Sequence, residues 1–187
     1  MSEEGASYKE QVLEAARRNN TDLLGEIIKE SGDQITSIIN DSRDALGNTP
    51  LHLAAKYGSY EVMDEILDCE GVEVDPTNTL DGDTPLHMAV RYSESEPEHG
   101  TFIAETLIEA GADARIKNNA GQKPIDLVHD NDSLIDILQG AEMAFQLEEE
   151  EKQIGELNTR LEMEYGLTIT GDVDVEDDDE GSDSGSE

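Results

Sequence analysis

The sequence predicts an all-α solenoid of four helical repeat units, two of them atypical caps, followed by a C-terminal helix and a disordered acidic tail. A nine-residue motif reads Gly-Asn-Thr-Pro-Leu-His-Leu-Ala-Ala at 47–55 and Gly-Asp-Thr-Pro-Leu-His-Met-Ala-Val at 82–90. Apolar residues after each copy recur at helical spacing. Residues 171–187 contain acidic side chains and no basic one. Self-similarity at a period of a few tens of residues is typical of stacked repeats.

The first unit is predicted at about residues 8–31, after a flexible N-terminus at 1–7. Its Leu23, Leu24, Ile27 and Ile28 lie 39 positions before the matching apolar residues of the second unit. It lacks the Thr-Pro-Leu-His sequence, as expected of a terminal repeat whose outer face meets water. Residues 33–40 add length before the second unit.

The second and third units each begin a helix at Thr-Pro, because proline is well tolerated in the first helical turn. We expect the threonine hydroxyls, with His52 and His87, to link the hairpin loops of adjacent units by hydrogen bonds. The third unit contains an insertion at 93–100 that carries three glutamates. Insertions in repeats map to loops, so a loop is predicted here.

The fourth unit, at 117–139, is a degraded copy in which Asp126 replaces the histidine. A C-terminal helix is predicted at 141–165, where Leu147, Ile154 and Leu161 are seven residues apart. This spacing leaves two interpretations, a coiled coil or a helix that docks on the last repeat, and docking is favoured. Residues 166–187 are predicted to be disordered because they offer too little apolar surface to offset chain entropy.

The repeated motif resembles that of the ankyrin-repeat family. Thr-Pro-Leu-His occurs twice in register, and Pro50, Pro85 and Pro124 are separated by 35 and 39 residues, against an ankyrin period of about 33. The resemblance covers residues 8–140 and implies a stack whose hairpin tips and inner helices line an extended concave surface. It also implies binding of a protein partner and no enzymatic activity.

Composition narrows the classes of partner. The 187 residues include 46 acidic and 12 basic side chains, a formal net charge of -34. This charge argues against direct binding to nucleic acid or to an anionic membrane, because both would repel it. No run approaches the roughly 20 apolar residues of a membrane helix. The composition therefore favours a basic protein partner.

No constellation of residues predicts catalysis, a metal site or a cofactor. Cys69 is the only cysteine, and its acidic neighbours would raise the pKa of its thiol. His52 and His87 occupy motif positions that indicate structural roles. The candidate site is therefore a protein-binding concave face, made of exposed hairpin tips, a stacked tyrosine pair, the inserted glutamates and the edge of the fourth unit. Its predicted residues are Leu46, Asn48, Tyr57, Leu80, Asp81, Asp83, Tyr92, Glu94, Glu96, Glu98, Gln122, Asp130 and Asn131.

The overall layout also resembles ankyrin-repeat chaperones of the small-subunit ribosomal protein S-three. That resemblance implies a client held by its basic N-terminal segment, kept soluble in the cytoplasm and nucleus until assembly into pre-40S particles. It implies a monomer that forms a one-to-one or one-to-two client complex. Two other hypotheses remain open, a signalling or transcription adaptor and an acidic histone-binding factor.

Overall fold

The computed structural model describes residues 7–166, in which helices are joined by turns and loops and no β-strand occurs. The predicted N-terminal segment up to residue 6 and the predicted acidic tail from residue 167 lie outside the described residues. No helix in the described range is long and apolar enough to cross a membrane. In order, the α-helices are α1 (Tyr8–Arg18), α2 (Thr21–Ser31), α3 (Ile35–Asp41), α4 (Pro50–Tyr57), α5 (Tyr60–Leu67), α6 (Pro85–Ser93), α7 (Pro97–Glu109) and α8 (Asp132–Tyr165).

The first unit consists of α1 and α2, as the apolar spacing predicts. Ser7 caps α1 in a capping box with Glu10, which supplies acceptors for two backbone N–H groups that the helix itself cannot satisfy. Asn19 ends the helix in the left-handed conformation, with φ 53°. Its side-chain oxygen accepts the backbone N–H of Val62 in the second unit. One residue therefore ends a helix and links two units.

Residues 33–40, for which the repeat pattern predicted only extra length, form most of helix α3. Ile35 and Ile39 lie one helical turn apart and are buried against α1. Asn40 donates to the carbonyl of Gly71 and accepts the N–H of Glu73, both about 3.0 Å away. The added segment is therefore part of the core and fixes the loop that follows α5.

The second and third units pack α4 and α6 side by side, with α1 on the other flank of α4. In both helices a threonine caps the first turn and proline occupies the first helical position. The continuous run of buried residues in α4, Pro50–Ala55, shows that neighbours enclose this helix on most sides. The core lies between these first helices and the second helices α2, α5 and α7.

The insertion at 93–100 is a loop over only part of its length. Residues 94–96 form a turn, but Pro97–Gly100 form the first turn of α7, which has 13 residues against eight in α5. The prediction of a loop is therefore wrong for its second half, because Pro97 can start a helix and Gly100 lets it approach α6. A Cβ on Gly100 would lie 2.5 Å from the Cα of Ser93.

The fourth unit has a short 3-10 turn, Pro124–Leu127, in place of a full first helix. Its second helix is the start of α8, which runs without a break from Asp132 to Tyr165, so helix begins nine residues before the predicted boundary at 141. Leu134, Leu138 and Ala141 are buried. The chain divides into two compact units, residues 1–146 and residues 147–187.

Candidate protein-binding site

Two histidines link the hairpin tips of successive units. The Nδ1 atom of His52 accepts the backbone N–H of Thr49 at 3.1 Å, so its proton is on Nε2, which donates to the carbonyl oxygen of Asp83 at 2.8 Å. His87 repeats the arrangement with Thr84 and the carbonyl oxygen of Gln122, at 3.0 Å. The expected hydrogen bonds between units are thus confirmed for the two histidines, whereas the hydroxyls of Thr49 and Thr84 bond to the histidine of their own unit.

Burial keeps both imidazoles neutral. It lowers the pKa of His52 to about 4, although the hydrogen bond to Asp83 acts in the opposite direction. It also lowers the pKa of His87. A neutral ring has one donor and one acceptor nitrogen, which is what each position requires. These histidines are structural, and neither is free to ligate a metal.

A ladder of buried polar side chains runs through the three tips and includes two predicted site residues. Asn78 donates to the Oδ1 atom of Asn48 at 3.0 Å, and Asn118 donates to the Oδ1 atom of Asp83 at 2.8 Å. Asn48 and Asp83 are almost wholly buried. Their assignment to a partner-binding surface is wrong, because the ladder already uses their polar atoms.

The apolar residues of the predicted site are exposed. Leu46 and Leu80 are 41% and 58% exposed at adjacent tips, and the backbone N–H of Leu80 donates to the carbonyl of Leu46 at 3.2 Å. Tyr57, at the end of α4, is 49% exposed, and the Lys56 ammonium lies 5.6 Å from the centre of its ring. Accessible aromatic and aliphatic side chains of this kind are typical anchors at protein interfaces.

Tyr92, the second residue of the predicted tyrosine pair, packs more tightly within the stack than Tyr57. It is half-buried, and its hydroxyl lies 3.1 Å from the Nδ1 atom of His99. Its ring covers Gly58, where a Cβ would lie 2.3 Å from the tyrosine hydroxyl. Tyr57 and Tyr92 therefore differ in role, since Tyr57 is the more exposed of the two and Tyr92 packs within the stack.

A groove of 460 Å³ lies beside Tyr92 on the face formed by the tips and first helices, which we call the inner face. Asp81 and Tyr92 were predicted for the site, whereas the other wall residues were not. Met88 supplies an apolar wall that is itself almost buried. The lining residues are Lys56, Asp81, Met88, Arg91, Tyr92 and Ser95.

The groove contains both signs of charge despite the acidity of the whole chain. Arg91 donates to the buried carboxylate of Asp83 at 2.9 Å, which neutralises most of its charge. Lys56 has no acidic partner within the described residues. Arg17, Lys56 and Arg91 each follow an Ala-Ala or Ala-Val pair and therefore occupy the same position in successive units. The alignment of the repeats already shows this shared basic position, but the predicted site residues did not include it.

A second groove, of 530 Å³, lies between the insertion and the fourth unit. Glu94, Asp130 and Asn131 line it with Ser93, Pro97 and His129. The His129 Nδ1 atom lies 3.3 Å from the Glu94 carboxylate. Asn131 accepts the N–H of Leu134 and donates to Thr101, so its side chain is engaged in structure.

The remaining predicted residues do not join either groove. Glu96 and Glu98 are exposed at the start of α7. Gln122 is half-buried and contributes its carbonyl to the His87 bond. Among the described residues, no group of acidic, histidine and cysteine side chains is arranged to hold a metal ion. Burial, followed by Asp68 and Glu65, raises the pKa of the Cys69 thiol, which makes it a poor nucleophile.

Comparison with known proteins identifies the repeat. The sequence profile described as Ankyrin repeats (3 copies) matches residues 12–118, more than half of the chain. The chain belongs to the ankyrin-repeat family. The curated "Ankyrin repeat-containing protein YGL242C" of Saccharomyces cerevisiae is 53% identical over 150 residues, which cover 77% of this chain and 83% of that protein. The name of that protein refers to its ankyrin repeats and does not mention a binding partner.

Membership explains the hydrogen bonds between tips as the framework of an ankyrin stack, in which each repeat contacts its neighbours. Ankyrin repeats are protein-interaction modules and are typically non-enzymatic. The exposed residues between the framework positions are therefore the ones available to a protein partner. In this ankyrin stack they are Leu46, Tyr57, Leu80 and Asp81, together with the walls of the two grooves.

Proposed function

We propose that this protein is a non-enzymatic chaperone whose ankyrin inner face binds and shields a basic protein. The observation that carries the proposal is the row of exposed apolar anchors Leu46, Leu80 and Tyr57 beside a groove, in a chain of net charge -34. Exposed anchors supply contact area at an interface. A strong negative field attracts a basic protein and accelerates encounter.

The specific client that we propose is ribosomal protein S-three of the small subunit, held until assembly into pre-40S particles. Support for this client is the resemblance in layout noted from the sequence. The proposal places the protein in the cytoplasm and nucleus, as a monomer that binds one or two clients. Covering the basic surface of such a client would block premature contact with RNA.

The test compares capture of cytosolic proteins by the full chain and by a Tyr57→Ala/Leu80→Ala variant, with mass spectrometry at low and moderate salt. Both side chains are about half exposed, so their loss should leave the stack folded. We expect one dominant basic protein, S-three under the specific proposal, to be depleted at least tenfold in the variant. Tyr92 is not used, because its packing on Gly58 would confuse binding with folding.

A control is Met163→Ala, which removes an even more exposed apolar side chain outside the ankyrin repeats. Capture should be unchanged in this control. A dominant client other than S-three would refute the named client while supporting a chaperone. A broad set of basic proteins, released by salt and indifferent to Tyr57 and Leu80, would refute the inner face as the binding site.

An adaptor for signalling or transcription is the second candidate, and the basic residues of the inner face favour it. Lys56 and Arg91 line the groove; Arg91 is already paired with Asp83, and Lys56 would pair with a partner segment that contains acidic residues. A neutral or acidic dominant partner in the same capture would support the adaptor. Deletion of residues 166–187 tests the third hypothesis, since a histone-binding factor that acts through its tail would lose almost all binding.

A further inference from the structure

The C-terminal part of α8 carries a row of exposed apolar side chains that only Glu150 interrupts. Leu147, Ile154, Leu157 and Tyr165 are between 54% and 64% exposed, and Leu161 lies between them. At about 100° per residue, the five positions fall within about 80° of arc. We call this row the apolar face of α8, defined as Leu147, Ile154, Leu157, Leu161 and Tyr165.

The spacing of the apolar face is that of a helix that packs on another helix. Leu147, Ile154 and Leu161 recur every seven residues, and Leu157 occupies an intervening position. The first part of α8 buries its apolar residues, such as Leu134 and Leu138, whereas the apolar face is open to solvent. Contiguous exposed apolar surface on a folded element marks an interaction site.

The charges on and around the apolar face are mostly negative. Glu150 lies within its arc, between Leu147 and Ile154, and Glu151, Glu162 and Glu164 lie within about 90° of its centre on the helical projection. Lys152 lies on the opposite side of the helix, whereas Arg160 lies beside Leu157 at about 110° from the centre, with its guanidinium 3.7 Å from the Glu164 carboxylate. The rim that a partner would meet is therefore predominantly acidic.

This distribution argues against a second copy of the chain as the occupant. Residues 147–165 contain seven acidic and two basic side chains, and residues 167–187 contain nine acidic and no basic ones. Two copies would bring like-charged rims together along the whole contact, which opposes association. A helix with basic residues at its rim would instead meet opposite charges there.

We propose that the apolar face of α8 binds a basic amphipathic helix of a partner protein. The partner's apolar side chains pack on Leu147, Ile154, Leu157 and Leu161, and its Lys or Arg residues pair with Glu151 and Glu164. The inference uses none of the residues of the inner face and does not depend on the proposed chaperone function.

The test uses the full chain and a synthetic helical peptide of four heptads, with Leu at both core positions and Lys at both flanking positions. Binding is measured by fluorescence anisotropy at 150 mM salt, and the oligomeric state by sedimentation. We expect a monomeric protein that binds the peptide. An Ile154→Glu/Leu157→Glu variant should bind at least tenfold more weakly, although it is more acidic than the native chain.

Two charge variants distinguish the contribution of the rim glutamates to binding from that of the overall negative charge of the protein. Glu151→Lys/Glu164→Lys reverses two rim charges, and Glu149→Lys/Glu156→Lys makes the same change to the net charge on the far side of the helix. The rim variant should bind at least fivefold more weakly than the far-side variant. Circular dichroism should give the same helical content for all variants, since the positions are exposed.

Any of four outcomes would overturn the proposal. The first is failure of the peptide to bind the native chain. The second is equally strong binding to the Ile154→Glu/Leu157→Glu variant, which would make the contact a matter of net charge alone. Concentration-dependent dimerisation that this variant abolishes would assign the apolar face to a second copy. Equal weakening by both charge variants would remove the role of the rim.

Discussion

The Nε2 atom of His52 lies 2.8 Å from the backbone carbonyl oxygen of Asp83, which belongs to the following repeat. The same Asp83 accepts hydrogen bonds from Asn118 and Arg91 through its side chain. Asp83 thus connects the second, third and fourth units through one buried residue. The stability of the stack and its dependence on pH should both depend on this junction.

Stability should fall as the pH decreases from 6.5 to about 4. Burial lowers the pKa of His52 from 6.5 to about 4 in the folded state, so the unfolded chain binds more protons in this interval. The contribution of neutral His52 to the free energy of unfolding is fully present above pH 6.5 and is lost as the pH approaches 4. This loss amounts to about 3 kcal/mol for the one residue. Urea unfolding between pH 7 and pH 4 measures it.

The His52→Gln variant supplies the control for that measurement. It should be less stable at pH 7, because Gln cannot reproduce both hydrogen bonds of the ring, but its stability should depend less on pH. Carboxylates titrate in the same interval, and the difference between the two proteins isolates the histidine. Parallel pH profiles for the two proteins would contradict the proposed role of His52.

Two aspartates on the same hairpin tip should differ sharply in their effect on stability. Asp83→Ala removes a buried acceptor and leaves Asn118 without its 2.8 Å partner, which should cost about 2–3 kcal/mol. Asp81→Ala changes an exposed side chain and should cost less than about 0.5 kcal/mol. Chemical denaturation of both variants tests the ladder, and equal costs would count against it.

Gly100 should not tolerate a side chain. A Cβ at this position would lie 2.5 Å from the Cα of Ser93, and relieving that overlap requires a shift of α6 against α7. We expect Gly100→Ala to destabilise the fold by about 1–3 kcal/mol. Gly140→Ala, in open space within α8, should be neutral or stabilising by up to about 1 kcal/mol. Thermal unfolding of the Gly100→Ala and Gly140→Ala variants measures this difference in stability.

Cys69 should react slowly with thiol reagents at neutral pH. Burial raises the pKa of its thiol, and the negative charges of Asp68 and Glu65 raise it further. A smaller thiolate fraction means slower labelling. We expect a rate at pH 7.5 at least about tenfold below that of glutathione, rising with pH, and a faster rate in Asp68→Asn. A rate equal to that of glutathione would show that the thiol is neither shielded nor perturbed.

The sequence predicted the repeats well because their signals are local. Thr-Pro at 49–50 and 84–85 specifies a cap and a first turn, and apolar spacing specifies the helices that follow. Helix α3 was not predicted, since its two buried isoleucines acquire their role only by packing on α1. Tertiary contact, rather than any local pattern, decides that element.

The site was predicted less completely, because exposure at a hairpin tip depends on the neighbouring unit. Asn48 and Asp83 resemble surface residues in sequence, yet the next tip covers both. Leu46, Leu80 and Tyr57 each keep about half of their surface exposed, although nothing in their local sequence distinguishes them from covered positions. Lys56 and Arg91 could have been included from their shared position in the repeat, whereas Met88 required knowledge of the groove.

The hydrogen bonds between units have a consequence for synthesis on the ribosome. Those described above join residues only 30 to 43 positions apart, so each unit can associate with its predecessor soon after it is translated. Contacts of such short sequence separation also favour rapid folding. The growing chain therefore completes its tip-to-tip network in sequence order, and the groove beside Arg91 acquires its final wall only when Ser95 of the insertion has emerged.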